Sequence, residues 1–101
     1  MSIQVMIKRK LKIRKPKELM PLLEELHTHA LEQPGYISGE TLQSIDNPDV
    51  FIVVSKWETA EDWNKWLNHK ERRDIQGRVD SLIGEKTFYE VYKNITRQTG
   101  S

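Results

Sequence analysis

The chain has 101 residues and a mass of 11.9 kDa, with 37% hydrophobic and 31% charged residues. That length suits one domain, and the apolar share builds a core and is too high for a disordered chain. It has no cysteine, which excludes a disulfide framework, a cysteine nucleophile, a thiolate zinc site and cysteine-held iron–sulfur clusters. The formal charge is +1, yet seven of the 16 basic residues fall between Lys8 and Lys17 with no acid among them.

The N-terminus does not read as a targeting segment. Ser2-Ile3-Gln4-Val5 leads into basic residues rather than into an apolar run with a small-residue cleavage site. The apolar run Val50 to Val54 is far shorter than a membrane span. The expectation is a cytoplasmic protein with no membrane partner.

Ile3, Val5, Ile7, Leu11 and Ile13 alternate with Gln4, Lys8, Lys10, Lys12 and Arg14, which predicts a strand with one buried face. Arg9 breaks this pattern, because it falls on the apolar phase. Leu19, Leu22, Leu23, Leu26 and Ala30 then predict an amphipathic helix over about residues 18–32, with Pro21 in its first turn and Gln33-Pro34-Gly35 as its stop. Two strands follow, Tyr36 to Ile45 and Val50 to Trp57, joined by the turn residues Asp46-Asn47-Pro48-Asp49 into a hairpin.

Thr59-Ala60-Glu61-Asp62 has the form of a capping box. The helix it opens carries Trp63, Trp66 and Leu67 on one face. A further helical stretch has Ile75, Val79, Leu82 and Ile83 as its stripe and Gly84 as its stop. Lys86 to Tyr92 predicts the last strand, and residues 94–101 a polar tail. The order β-α-β-β-α-β, with the second helix in two parts, is the ferredoxin-like α+β pattern. Its four antiparallel strands carry helices on one face only. The other face, with Phe51, Val53 and Ile37 expected on it, is a natural dimer surface.

The catalytic inventory is thin, with no Gly-rich phosphate loop and no nucleophile elbow. His27 and His29 lie two apart on a helix, point to different faces and do not make a metal site. Their expected place is the solvent-facing side. His69 follows Trp66 by three residues and borders the same region. Trp63 and Trp66 supply a flat apolar wall. Arg9 must be paired, with Glu40 or Glu90 as candidates, or must anchor an anion in a pocket. The stripe Lys8, Lys10, Lys12 and Arg14 has no interleaved stacking aromatics and reads as a solvated face rather than a nucleic-acid surface.

Four segments carry a likeness to a known family: the first strand, QPGYISGETL, the strand end VVSKWET, and AEDWNKWL. Together, over residues 2–93, they resemble the antibiotic biosynthesis monooxygenase (ABM) domain family. The resemblance implies a ferredoxin-like protomer that pairs through its sheets into a homodimer, a dimeric α+β barrel. It also implies a pocket for a small aromatic molecule between sheet and helices, and oxygenase chemistry on phenols, quinols or anthrones with no metal or flavin cofactor. On that basis Trp66, Arg9 and His69 are the expected catalytic residues, and Trp63, Gln76 and Tyr36 the expected substrate contacts. The haem-degrading branch of the family uses an Asn, a Trp and a His where this chain has Arg9, Trp66 and Gln76. One match in three argues against haem. The alternative to catalysis is a dimeric module that binds a small ligand and leaves it unchanged.

Overall fold

A computed structural model describes residues 2–11 and 16–95. The elements run β1 (Ile3–Lys10), α1 (Pro16–Leu31), β2 (Tyr36–Gln43), β3 (Val50–Trp57), α2 (Ala60–Leu67), α3 (Lys70–Ile83) and β4 (Phe88–Lys93). They form a four-stranded sheet in the order β2-β3-β1-β4, with every neighbouring pair antiparallel. This is the ferredoxin-like arrangement that the element order predicts.

Local chemistry explains most boundaries. Thr59 caps α2: its Oγ1 accepts the Asp62 backbone N–H at 3.1 Å and donates to Asp62 Oδ2 at 2.9 Å. Gly84 ends α3 in the left-handed region at φ 75°, and its N–H donates to the Asp80 carbonyl. Gly35 likewise takes φ 84° after α1, and its carbonyl accepts the Glu58 N–H at 2.8 Å. Two expectations shift. Helix α1 begins at Pro16, so Pro21 lies in its second turn and leaves the Lys17 carbonyl without its helical donor. The hairpin connection spans residues 44–49 rather than four residues, closed by Ser44 N–H to the Val50 carbonyl and Asn47 Oδ1 accepting from Asp49 N–H. Of the basic stripe, Lys12 and Arg14 lie outside the described residues, as does Ile13.

The helices cover one face of the sheet. There Ile3, Val5, Ile7 and Arg9 of the first strand, and Leu11 just after it, are all buried. The interior divides into two clusters. Ile3, Val5, Ile7, Ala30, Trp57, Trp63 and Trp66 make the first. Leu11, Leu19, Leu22, Ile75 and Val79 make the second. Arg9 sits in the strand between Ile7 and Leu11, one from each cluster, so the break in alternation marks the seam of the core.

The opposite face is open. Cross-strand register sets Lys8 beside Ile52 and Phe88, and Met6 beside Val54 and Glu90, with Leu42 next to Ile52. The apolar residues there are therefore Met6, Leu42, Val50, Ile52, Val54 and Phe88. This corrects the expectation for Phe51 and Val53. They pair with Arg9 and Ile7 and point to the helix side. Ile37 falls in an irregularity of the β2–β3 ladder, between Tyr36 and Ser38, and is exposed.

Candidate active-site cavity

A cavity of about 510 Å³ opens between the sheet and the helices, at the seam of the two core clusters. Its wall is aromatic. The ring of Trp57, 1% exposed, stacks at 6.5 Å from Trp66 and meets Trp63 edge-on at 5.9 Å. Tyr36 meets Trp57 edge-on at 5.2 Å, and Tyr89 lies 5.9 Å from Trp63. The Trp57 indole N–H is satisfied by Ser55 Oγ at 3.1 Å, so the wall presents flat carbon surface with its polar tip already bonded.

The polar end is built by Arg9, Arg72, Gln76 and Tyr89. Arg9 Nη2 donates to Gln76 Oε1 at 3.0 Å. Gln76 Nε2 in turn donates to Asp80 Oδ1 and Thr87 Oγ1, both at 2.8 Å, and the Thr87 hydroxyl donates to the same Asp80 oxygen. Gln76 thus passes the influence of the Asp80 carboxylate to Arg9 without contact between the charges. Arg72 donates from Nε to the Leu67 carbonyl and from Nη1 to the Tyr89 hydroxyl. Both arginines are buried, each residue 8% exposed, and among the described residues neither has a carboxylate oxygen within 4.0 Å. Arg9 Nε is buried with no partner. Burial pushes the pKa of Arg9 below its usual range. Tyr89 and Asp80 act against that shift, and Arg72 is near enough to add to it.

The glutamates expected to pair with Arg9 are on the wrong side. Glu40 and Glu90 sit in register with Val54 and Met6, on the open face. The histidines also redistribute. His69 caps the start of α3, its ring 5.7 Å from Trp66, with Nδ1 buried and unbonded, and it does not line the cavity. His29 turns away to a 3.0 Å contact with Glu71 of α3. His27, expected to face solvent, is exposed but stands at the cavity rim, edge-on to Tyr36 at 6.4 Å.

Of the residues singled out from sequence, Arg9, Trp63, Trp66, Gln76 and Tyr36 are brought together around this cavity and His69 is left outside it. Sequence reasoning did not single out Trp57, Arg72 and Tyr89, and it set His27 aside. Arg72 was visible as a polar member of the α3 stripe, since it precedes Ile75, Gln76 and Val79 by three, four and seven positions. Gln76 holds its amide on Arg9, Asp80 and Thr87 and offers no imidazole to a haem iron, so the cavity does not fit the haem-degrading ligand set. Among the described residues no three of His, Asp and Glu gather as a metal site requires, and no helix is long and apolar enough to cross a membrane.

Comparison with known proteins agrees with this architecture. Residues 2–78 match the model of the antibiotic biosynthesis monooxygenase family, and the chain belongs to that family. Protein SchA of Streptomyces halstedii is 29% identical over 58 residues, which is 57% of this chain and only 15% of SchA. Among solved structures, a conserved protein from Methanosarcina mazei superposes with a TM-score of 0.83 at 20% identity, covering 93% of each chain. SnoaB from Streptomyces nogalater, a cofactor-independent oxygenase, superposes with a TM-score of 0.79 at 13% identity, covering 97% of this chain and 95% of its own. At such identities the two structures speak for the fold alone.

Proposed function

We propose that the protein is a cofactor-independent monooxygenase acting in the cytosol on a small phenol-, quinol- or anthrone-like aromatic. One observation carries this reading: an aromatic wall of three tryptophans faces a buried guanidinium across a cavity large enough for a polycyclic ring system. Trp57 and Trp66 offer a stacking surface for the ring, and Arg9 offers positive charge for the oxygen of the deprotonated substrate.

In the reaction proposed, a base takes a proton from the substrate and leaves an electron-rich anion. That anion passes one electron to dioxygen, and the radical pair closes a carbon–oxygen bond to give a peroxide. For an anthrone, cleavage of the O–O bond with loss of the second proton from the same carbon converts CH2 and O2 into C=O and water. The substrate supplies the electrons, which is why the cavity needs to exclude water, hold the anion and place one base. His27 at the rim is the imidazole best set for that role, in place of His69.

The experiment is oxygen uptake with a panel of anthrones and quinols. Uptake well above the blank that collapses in Arg9→Ala supports the reading. No uptake above the blank, with an Arg9→Ala profile the same as the native one, ends it. A second reading, a binding module without catalysis, is favoured by the lack, among the described residues, of any carboxylate in the cavity lining. Recovery of a tight ligand unchanged after aerobic incubation would support it.

The same proposal includes a homodimer closed over the open sheet face. Leu42 and Phe88 are exposed there, Ile52 beside Leu42 is half-buried, and Lys8 stands between Ile52 and Phe88, with Met6 and Val54 alongside.

A further inference from the structure

The charges at the polar end of the cavity do not balance. Arg9 and Arg72 are both buried, both line the cavity, and both lie beside Tyr89. Among the described residues no aspartate or glutamate lines the cavity. The one acid among the described residues coupled to this end is Asp80, which reaches Arg9 through the amide of Gln76. Two cations against one anion leave one positive charge uncompensated. A buried charge of that kind is strongly destabilising unless something pairs with it. The donors tell the same story. Gln76 takes one N–H of Arg9, while Nε is buried and unbonded. In a fold held only by its own contacts, such a guanidinium is a defect.

We propose that the cavity binds an aromatic monocarboxylate, with the ring against Trp57 and Trp66 and the carboxylate on the free N–H groups of Arg9. The charge count sets the valence, because one anion neutralises the end and two would overshoot it. The planar fork of a guanidinium suits a planar carboxylate. Ser55, Thr41 and His27 also line the cavity, but most of the remaining lining, Ile7, Leu23, Phe51 and Val53 among it, is apolar and suits a fused ring rather than a sugar or a phosphate ester. This inference rests on the cavity being the substrate site. It narrows the substrate from any phenol or quinol to one carrying a carboxylate away from the reacting carbon.

The test compares 2-naphthoate with 2-naphthamide by isothermal titration calorimetry at neutral pH. The acid is expected to bind at least tenfold more tightly than the amide. In Arg9→Met the ratio is expected to fall to about one. Thermal unfolding separates a ligand anchor from a structural residue: Arg9→Met/Gln76→Leu, which removes the guanidinium together with its acceptor, is expected to melt no lower than the native protein. Equal binding of acid and amide, no acid binding at millimolar concentration, a preference that survives in Arg9→Met, or a marked loss of melting temperature in the double variant would each overturn the proposal. Oxygen uptake reads out the other question. An acid preference that depends on Arg9, with no uptake on any substrate, leaves this inference standing and ends the oxygenase reading. Uptake on neutral quinols with no acid preference does the reverse.

Discussion

Replacing Gly35 with alanine places a methyl carbon where Asp62 already stands. An ideal Cβ there would lie 2.1 Å from Asp62 Oδ2, 2.4 Å from Cγ and 2.7 Å from Cβ. Asp62 has no free direction to yield. It sits in the first turn of α2, and its backbone N–H and carboxylate are both engaged by Thr59. Two separate costs follow. The left-handed backbone at φ 84° is worth about 1–2 kcal/mol against a residue with a Cβ. Displacing the Asp62 carboxylate breaks its bond from the Thr59 hydroxyl and loosens the first turn that Thr59 caps, worth about 1–2 kcal/mol together. A total of roughly 3 kcal/mol corresponds to a fall of about 12–24 °C in melting temperature for a domain of this size. The assay is urea denaturation followed by tryptophan fluorescence, run as a double-mutant cycle with Asp62→Gly. In the Asp62→Gly background the cost of Gly35→Ala should shrink to the backbone part, about 1–2 kcal/mol. A cost below 1 kcal/mol in the native background, or one unchanged by Asp62→Gly, would refute the reasoning. The contact matters beyond stability, because it fixes the start of α2, and with it Trp63 and Trp66, against the residue that precedes Tyr36.

Further outcomes are expected from the same geometry. Gln76→Leu alone leaves the Arg9 side chain, a buried guanidinium, with no hydrogen-bond acceptor among the described residues, and should cost about 1–3 kcal/mol in denaturant melts. Burial raises the pKa of Tyr36, so the neutral phenol is favoured in the fold. As pH climbs past about 10 the unfolded chain ionises first and native stability falls, and Tyr36→Phe should flatten that alkaline slope in pH-dependent melting curves. Ile52→Glu puts a charge beside Lys8 on the open sheet face. Light scattering should show a dimer of the native protein and a monomer of this variant, each with unaltered circular dichroism.

The elements were legible because their signals are local. Alternation marked β1, the Leu19 to Ala30 spacing marked α1, and Thr59 with Asp62 marked the start of α2. The phase of β3 was not legible, since Val50 to Val54 is apolar throughout and has no alternation to read. That is why Phe51 and Val53 were assigned to the open face when register turns them to the cavity. Arg9 was legible as one polar side chain on an apolar phase. Its partner was not, because Gln76 is 67 positions away on a helix and only the folded chain brings them together. His27 was misjudged for a simpler reason. It lies next to Leu26 and four after Leu23, at the margin of the α1 stripe, where a side chain is half solvent and half wall.

The divided interior also bears on how the protein persists in a cell. Its two apolar clusters meet across a space that the chain does not fill, so a molecule seated there acts as a missing piece of the core. At a concentration one hundred times its dissociation constant, such a molecule adds about 2.7 kcal/mol to the stability of the fold. For a small domain that is a large share of the whole. On the proposed reading, turnover of the protein would be tied to the supply of that molecule: starved of it, the chain would open more often and be degraded sooner.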